Sequence, residues 1–270
     1  MPYTVNKGVR IYYEVEGKGP SIVFIPGFLG TLDDWRDSGY DEALRNDYRL
    51  ILIDPRGRGG SDRPHDSAAY TFELMVQDIV AVLDNLNIDK AHYFGYSMGA
   101  GIGFNVAIHA PERFYTLMLG GSGYPIAGNE MRDDGVIIAI QEGLKKAIET
   151  APERSMEMFV SELEETMGLF PPLRRARMLA ADAWALAAAA RAIRFAVWPK
   201  AEDVLPRITL PCLLFAGEAD TFFMRTKDTA SRIHNATFFS LPGLNHIEAV
   251  FRSDLVLPCV REFLAGINER

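Results

Sequence analysis

Short runs of strand-forming residues alternate along the chain with longer segments whose apolar residues recur at helical spacing. Runs of this length, bounded by turn residues, are typical of strands buried in a sheet. The predicted strands are RIYYEVEG (10–17), SIVFI (21–25), YRLILID (48–54), AHYFGYS (91–97), FYTLMLGG (114–121), PCLLFAGEAD (211–220) and ATFFSLPG (236–243).

Helices are predicted between these strands. TFELMVQDIVAVLDNLNI (71–88) places apolar residues along one helix face and offers Thr71 as its N-cap. Another helix is predicted from Met98 onward, and TLDDW opens a further one with Thr31 and Asp33 as candidate caps. Strands that alternate with helices favour an α/β fold, in which a mostly parallel central sheet is flanked by helices on both faces.

The alternation stops between residues 123 and 204, where helix-forming stretches follow one another without strands. These stretches are GVIIAIQEGLKKAIE, RSMEMFVSELEETM and ADAWALAAAARAIRFAVW. We therefore expect a core domain made of 1–122 and 205–270, with 123–204 inserted as a helical cap, or lid. A lid would cover the carboxyl ends of the strands, where open α/β sheets bind ligands. The alternative is helical packing that contributes only to stability or to a dimer interface.

Composition and charge narrow the function classes. The 270 residues are 48% hydrophobic and 24% charged, which is enough for one sizeable core. A net charge of −8 would repel nucleic-acid phosphates and anionic lipids, so we expect neither nucleic acid nor a membrane as a partner. No long apolar run and no signal-like start occur in the sequence. We expect a cytoplasmic monomer or homodimer that acts on a small molecule.

GYSMG, residues 95–99, has the G-x-S-x-G spacing of a nucleophile elbow and lies between a predicted strand and a predicted helix. Such a turn strains the backbone of the serine, here Ser97. Its neighbours Gly95 and Gly99 must then lack side chains to avoid the strand and the helix. The turn also sets the hydroxyl at a helix N-terminus, where free N–H groups favour a developing anion. This context favours a nucleophilic serine.

A serine hydroxyl needs a base, and the chain has five histidines. His65, His92, His109 and His234 are each explained by a solvated surface, a strand start or a helix end. His246 differs because it follows the last predicted strand in a loop, at the sheet edge where Ser97 also lies. We therefore select His246 as the base.

An acid that orients the imidazole should also follow a strand. Asp220 comes directly after LLFAGEA, and Glu218 is its rival two residues earlier. No carboxylate closely follows FYTLMLGG, the other place where such an acid could enter, which favours Asp220. A simpler role for Asp220 is to cap a helix that begins near residue 221 or 222. The resulting chain order of serine, aspartate and histidine is the one found in α/β-hydrolases.

At this point the sequence resembles the α/β-hydrolase superfamily over nearly its whole length. Besides the elbow, it has FIPGFLG where the family usually has a His-Gly-x motif, DPRGRGGSD where the family has a D-x-R-G-x-G-x-S-D loop, and the segments GEAD and GLNH near its end. The resemblance implies a serine-nucleophile member that is esterase-like or lactonase-like. It also implies an oxyanion hole formed by the backbone N–H groups of Phe28 and Met98. Pro26 replaces the histidine of many relatives, and because proline fixes φ, we expect an effect on loop geometry.

The implied mechanism is a two-step acyl transfer that needs no metal and no organic cofactor. Ser97 excludes the usual chemistry of dehalogenases and epoxide hydrolases, whose elbow carries aspartate. Our first expectation is hydrolysis of small to medium carboxylic esters. Lactones (acyl-homoserine lactones or enol-lactones) come next, followed by carbon–carbon bond hydrolysis, which Tyr96 disfavours, and perhydrolysis. The alternative from another class is a relative that binds a ligand without turnover, which the presence of all three triad residue types disfavours.

Overall fold

The computed structural model describes residues 2–125, 134–167 and 170–268. Within these residues eight strands form a single sheet in the order β1-β2-β4-β3-β5-β6-β7-β8. The strands are β1 (Tyr3–Asn6), β2 (Val9–Gly17), β3 (Ser21–Ile25), β4 (Arg49–Ile53), β5 (Ala91–Tyr96), β6 (Phe114–Gly120), β7 (Cys212–Gly217) and β8 (Ala236–Leu241).

The helices lie in the connections between these strands and after β8. They are α1 (Asp33–Asp37), α2 (Tyr40–Leu44), α3 (Phe72–Asn85), α4 (Met98–His109), α5 (Asp134–Thr150), α6 (Ser155–Met167), α7 (Pro172–Leu179), α8 (Ala183–Arg194), α9 (Ala201–Val204), α10 (Phe223–Arg232), α11 (His246–Phe251) and α12 (Ser253–Asn268). In the described part of the chain, no helix combines the length and the apolar character that crossing a bilayer requires.

The predicted α/β fold with a mostly parallel sheet is confirmed. Strands β3 to β8 pair with one another in parallel. At one edge of the sheet, β2 pairs antiparallel with both β1 and β4. Strand β1 is absent from the sequence prediction. It is short and partly exposed, so its pairing with β2 depends on contacts that an apolar pattern does not display.

Apolar residues cover both faces of the sheet. In β3, Val23 and Ile25 belong to the cluster that packs against α3 and α4, while Ile22 and Phe24 belong to the cluster around Trp35. Alternation with a period of two sends successive side chains to opposite faces, so a continuous apolar run is buried on both sides. Each fully buried side chain of this size contributes roughly 1.5–3 kcal/mol through the apolar area removed from water.

Two predicted helix starts have different outcomes. Thr71 caps α3 as predicted, since its Oγ1 accepts a hydrogen bond from the Leu74 N–H. The predicted helix α1 is present, but its predicted caps, Thr31 and Asp33, are wrong, because its N-cap is Leu32 and no side chain caps it. Instead the carboxylate of Asp54, which follows β4, accepts a hydrogen bond from the Leu32 N–H at 2.8 Å. The hydrogen-bond acceptor at this helix start therefore follows a neighbouring strand, and a pattern of adjacent residues cannot predict it.

In the described residues, the segment between β6 and β7 contains the helices α5 to α9 and no strand. Helix α5 packs against α6 and α8, and α6 packs against α7. Parts of the predicted lid, at 126–133 and 168–169, lie outside the described residues. The division into a core and a lid stays a prediction.

Candidate active site

Ser97 occupies the turn between β5 and α4, with φ 55° and ψ −113°. A positive φ is uncommon for a residue with a side chain. A Cβ at Gly95 would overlap the carbonyl oxygen of Gly99, and a Cβ at Gly99 would overlap that of Ile25. Both glycines are therefore required by close backbone approach, which explains their spacing around the serine.

The structure brings His246 to Ser97. The Nε2 atom of His246 lies 3.0 Å from Ser97 Oγ. His246 is the first residue of α11, whose start is closed by a capping box between Asn245 and Glu248. The two side chains are 149 positions apart in sequence and meet at the carboxyl edge of the sheet. The capping box thus fixes the backbone from which the imidazole projects.

Asp220 completes the hydrogen-bonded line. Its Oδ2 lies 2.8 Å from His246 Nδ1, and its side chain is fully buried. Because an ionised carboxylate can only accept, Nδ1 carries the proton and Nε2 is free to accept the hydroxyl proton of Ser97. The other carboxylate oxygen, Oδ1, accepts a hydrogen bond from the Phe222 N–H at 2.9 Å. Asp220 thus closes a turn before α10 as well as holding the ring, whereas the rival Glu218 is exposed.

The other histidines lie in different surroundings. His109 and His234 are exposed, and His65 is an exposed residue whose Nε2 lies 2.9 Å from Asp182. His92 is buried in β5, with Nδ1 2.9 Å from the hydroxyl of Thr116. Among the five candidates, the structure therefore places His246 beside Ser97 and gives the others separate environments.

We expect acid to destabilise the protein through His92. Burial lowers the pKa of His92 to about 4, whereas an unfolded chain holds histidine near its ordinary value of about 6.5. The neutral ring is favoured in the folded state, so this stabilisation is complete above pH 6.5 or so and is lost as the pH falls to about 4. The expected loss is about 3 kcal/mol in the free energy of unfolding.

Urea unfolding at several pH values would measure this effect in the wild type and in His92→Gln. The wild type should lose more stability than the variant between neutral pH and pH 4. His234→Gln, at an exposed position, is the control and should follow the wild type. Equal losses in the wild type and His92→Gln would contradict the prediction.

The two N–H groups implied for the oxyanion hole belong to segments close to Ser97. Met98 is the first residue of α4, so its N–H is one of those that an α-helix leaves without an intrahelical partner. Phe28 lies in the loop after β3, and this loop approaches the serine closely: a Cβ at Gly27 would be 3.4 Å from Ser97 Cβ. Pro26, the departure noted in the sequence, lines the same cavity as Ser97. The role of these N–H groups stays a prediction.

Two supporting residues were not identified from the sequence. Arg58, which is buried, donates from Nε to the Phe28 carbonyl at 2.6 Å, and its guanidinium stacks over the Phe28 ring. Burial lowers the pKa of Arg58 to about 10. Tyr96 donates its hydroxyl hydrogen to the His246 carbonyl at 2.7 Å, and burial raises the pKa of this phenol well above its usual value. Both residues lie in motifs that the sequence displays: Arg58 is the second arginine of DPRGRGGSD, and Tyr96 precedes Ser97. Their hydrogen-bond partners are distant in sequence, so the motifs alone do not indicate these roles.

A cavity of about 700 Å³ borders this site. Ser97, His246 and the loop after β3 line it on the side of the sheet. Helices α5 and α6 line it with side chains that are mainly apolar: Val136, Ala139, Ile140, Phe159 and Leu163. A cleft of this size and lining is suited to a small or medium organic ligand.

Comparisons with known proteins agree with this architecture. The sequence model of a family described as "alpha/beta hydrolase fold" matches residues 20–159, which is more than half of the chain. A protein of Bacillus subtilis (strain 168) named "Putative 2-succinyl-6-hydroxy-2,4-cyclohexadiene-1-carboxylate synthase" is 28% identical over 279 residues. That alignment covers 98% of this chain and 98% of the relative.

Solved structures of similar fold include hydrolases. A thermophilic esterase from Thermogutta terrifontis, with malate bound, superposes with a TM-score of 0.78 at 23% identity and covers 98% of this chain and 97% of its own. The structure described as "Est816 as an N-Acyl homoserine lactone degrading enzyme" has a TM-score of 0.65 at 27% identity. It covers 97% of this chain and 100% of its own.

Proposed function

This chain belongs to the alpha/beta hydrolase family, and on that premise we propose that it hydrolyses carboxylic esters of small to medium acyl groups through an acyl-enzyme. Ser97 is the nucleophile, His246 the base and Asp220 the acid that orients the imidazole. The observation that carries this proposal is the line of contacts from Ser97 Oγ to His246 Nε2 (3.0 Å) and from His246 Nδ1 to Asp220 Oδ2 (2.8 Å). That line ends at a cavity large enough for an ester.

In the first step Ser97 Oγ attacks the ester carbonyl and its proton passes to Nε2 of His246. The buried carboxylate of Asp220 stabilises the imidazolium that forms. When the tetrahedral intermediate collapses, the carbon–oxygen bond to the leaving alcohol breaks and Nε2 returns the proton to that alcohol. An acyl group remains on Ser97.

In the second step water attacks the acyl-enzyme, and His246 takes a proton from the water. Collapse of this second intermediate breaks the bond to Oγ and releases the carboxylic acid, and Nε2 of His246 returns the proton to Oγ, which restores the hydroxyl of Ser97. The N–H groups of Phe28 and Met98 hold the oxyanion in both steps. One such donor typically accounts for on the order of a hundred- to a thousand-fold in turnover.

Residues 123–204 act in this proposal as a lid over a core made of 1–122 and 205–270. Side chains of α5 and α6 line the cavity that Ser97 borders, which supports this assignment. The apolar character of these side chains favours an apolar acyl group over a polar one in the part of the cavity that they line.

Lactones are the second candidate substrate. The likeness to the Est816 structure, described as that of an N-acyl homoserine lactone degrading enzyme, favours them. The chemistry is the same, except that the leaving oxygen stays joined to the acyl group through the former ring, so the product is a single ring-opened acid.

A fluorophosphonate probe tests whether Ser97 is an activated nucleophile, because the probe phosphonylates such serines. Intact-mass analysis should show one adduct on the wild type, located at Ser97, and none on Ser97→Ala. A panel of nitrophenyl esters, homoserine lactones and enol-lactones then ranks the substrates. A wild-type protein that is not labelled would overturn the proposal, and activity confined to lactones would replace esters by lactones.

A further inference from the structure

Arg174, in α7, is a buried cation that lines the same cavity as Ser97. Its side chain is 10% exposed. Within the described residues, its Nε and Nη1 atoms are enclosed and have no hydrogen-bond partner. Buried charged groups in proteins are normally paired and hydrogen-bonded, so a buried guanidinium in a cavity wall with two unpartnered nitrogens points to a missing acceptor.

The surroundings of Arg174 satisfy its charge only in part. Its guanidinium lies over the rings of Phe170 and Phe251, at 5.5 Å and 4.7 Å from their centroids. The nearest carboxylate, that of Asp34, is 3.9 Å from Nη2, which is beyond hydrogen-bond distance. Arg177 also approaches Asp34, at 3.4 Å. Aromatic faces and a distant carboxylate therefore leave Nε and Nη1 without an acceptor in the described residues, and Nη2 beyond hydrogen-bond distance of Asp34.

Another buried arginine, in the loop after β4, is paired in a different way. Arg56 is 1% exposed, and it donates from Nε and Nη2 to the two carboxylate oxygens of Asp78, each at 2.7 Å. Its Nη1 donates to the Ala69 carbonyl. Arg56 therefore uses its planar fork fully inside the protein, whereas Arg174 does not.

The other charged residues that line the cavity do not compete for this role. Lys146 and Glu162 pair with each other at 3.0 Å, with about half of each side chain exposed. Glu142 is exposed. Asp34 is the other buried charged residue of the described lining. Because Arg174 and Arg177 both lie near its carboxylate, their two positive charges can balance Asp34 and a bound substrate anion together.

We propose that Arg174 binds a carboxylate of the substrate, so that the preferred esters are half-esters of dicarboxylic acids or lactones that carry a carboxylate. This inference rests on the proposed function and specifies its substrate class. The fork geometry of a guanidinium matches a carboxylate in two parallel hydrogen bonds, which a substrate anion in this cavity would supply. Burial lowers the pKa of Arg174, and a bound anion would offset the desolvation that causes this shift.

Three methyl esters with the same three-methylene spacer test the proposal. They are monomethyl glutarate (an anion), methyl 5-methylhexanoate (its uncharged isostere) and methyl 4-(trimethylammonio)butanoate (a cation). Monomethyl succinate and monomethyl adipate vary the distance between ester and carboxylate. Methanol release gives kcat/KM for each ester. We expect the best half-ester to exceed the isostere by about 10- to 100-fold in the wild type, as a charge-assisted hydrogen bond would give.

In Arg174→Gln the ratio of kcat/KM between the half-ester and the isostere should decrease by a similar factor. The ratio for Arg174→Lys should lie between those of the wild type and Arg174→Gln. Arg175→Gln is the matched control. Arg175 is the next residue of α7, pairs with Glu164 at 3.0 Å and does not line the cavity, so its loss should leave the ratio unchanged. Fluorophosphonate labelling of each variant at Ser97 checks that the site is folded.

The outcomes separate the two proposals. If the wild type cleaves the uncharged ester at least as well as every half-ester, the inference about Arg174 is overturned while ester hydrolysis stands. A preference for the cationic ester also overturns it and assigns the selectivity to Asp34. If no ester is cleaved and Ser97 is not labelled, the proposed function fails and the inference fails with it.

Discussion

Replacing Ser97 or His246 by alanine is expected to lower kcat on an ester by on the order of 10⁶-fold, and replacing both is expected to lower it no further. The hydroxyl is a poor nucleophile without the imidazole, and the imidazole has no proton to take without the hydroxyl. The 3.0 Å contact between Oγ and Nε2 makes the two groups one functional unit. Groups that act as a unit do not contribute additively.

The measurement is kcat for Ser97→Ala, His246→Ala and the double variant on the best nitrophenyl ester. His109→Ala is the control, since this exposed histidine ends α4 far along the helix from Ser97, and it should retain wild-type turnover. A double variant much slower than either single variant would show that the two residues act independently. That result would contradict the prediction.

Asp220→Asn is expected to lower kcat by on the order of 10⁴-fold with little change in the fold. The reason is the tautomer of His246. The side-chain oxygen of Asn would still accept the Phe222 N–H, as Asp220 Oδ1 does. Its NH₂ group would then face Nδ1, at the position of Oδ2, and donate to it. The ring proton would move to Nε2, which could no longer accept the proton of Ser97.

The rival carboxylate provides the matched control for this variant. Glu218 is exposed and two residues away, so Glu218→Gln should keep wild-type kcat. Thermal midpoints should be similar for both variants and the wild type, which separates a tautomer effect from unfolding. An equal loss of activity in the two variants, or none in Asp220→Asn, would refute the assignment of Asp220.

Much of the fold follows from local patterns in the sequence. Continuous apolar runs predict the parallel strands, because a strand in such a sheet is buried on both faces. Gly95 and Gly99 mark the strained turn at Ser97, since close backbone approach leaves no room for a side chain at either position. His246 and Asp220 could be selected because parallel strands bring their carboxyl ends to one edge of the sheet.

The residues that shape the cavity could not be predicted in this way. Arg174, Arg175 and Arg177 lie within four positions of one helix, and nothing in PPLRRARM distinguishes them. Arg174 is buried in the cavity lining, whereas Arg175 pairs with Glu164. Arg177 meets Asp34 and Asp37 from α1. Their roles depend on which elements pack against α7, and that is a tertiary property.

The helices between β6 and β7 contribute side chains to the cavity, but Ser97, Asp220 and His246 all come from connections that follow β5, β7 and β8. In the proposed function, the reacting groups thus lie outside the segment that supplies α5, α6 and α7 to the cavity. If the proposed function holds, sequence changes in the helices between β6 and β7 would alter the cavity while leaving Ser97, Asp220 and His246 themselves unchanged. The same three reacting residues could in this way act on substrates of different shapes.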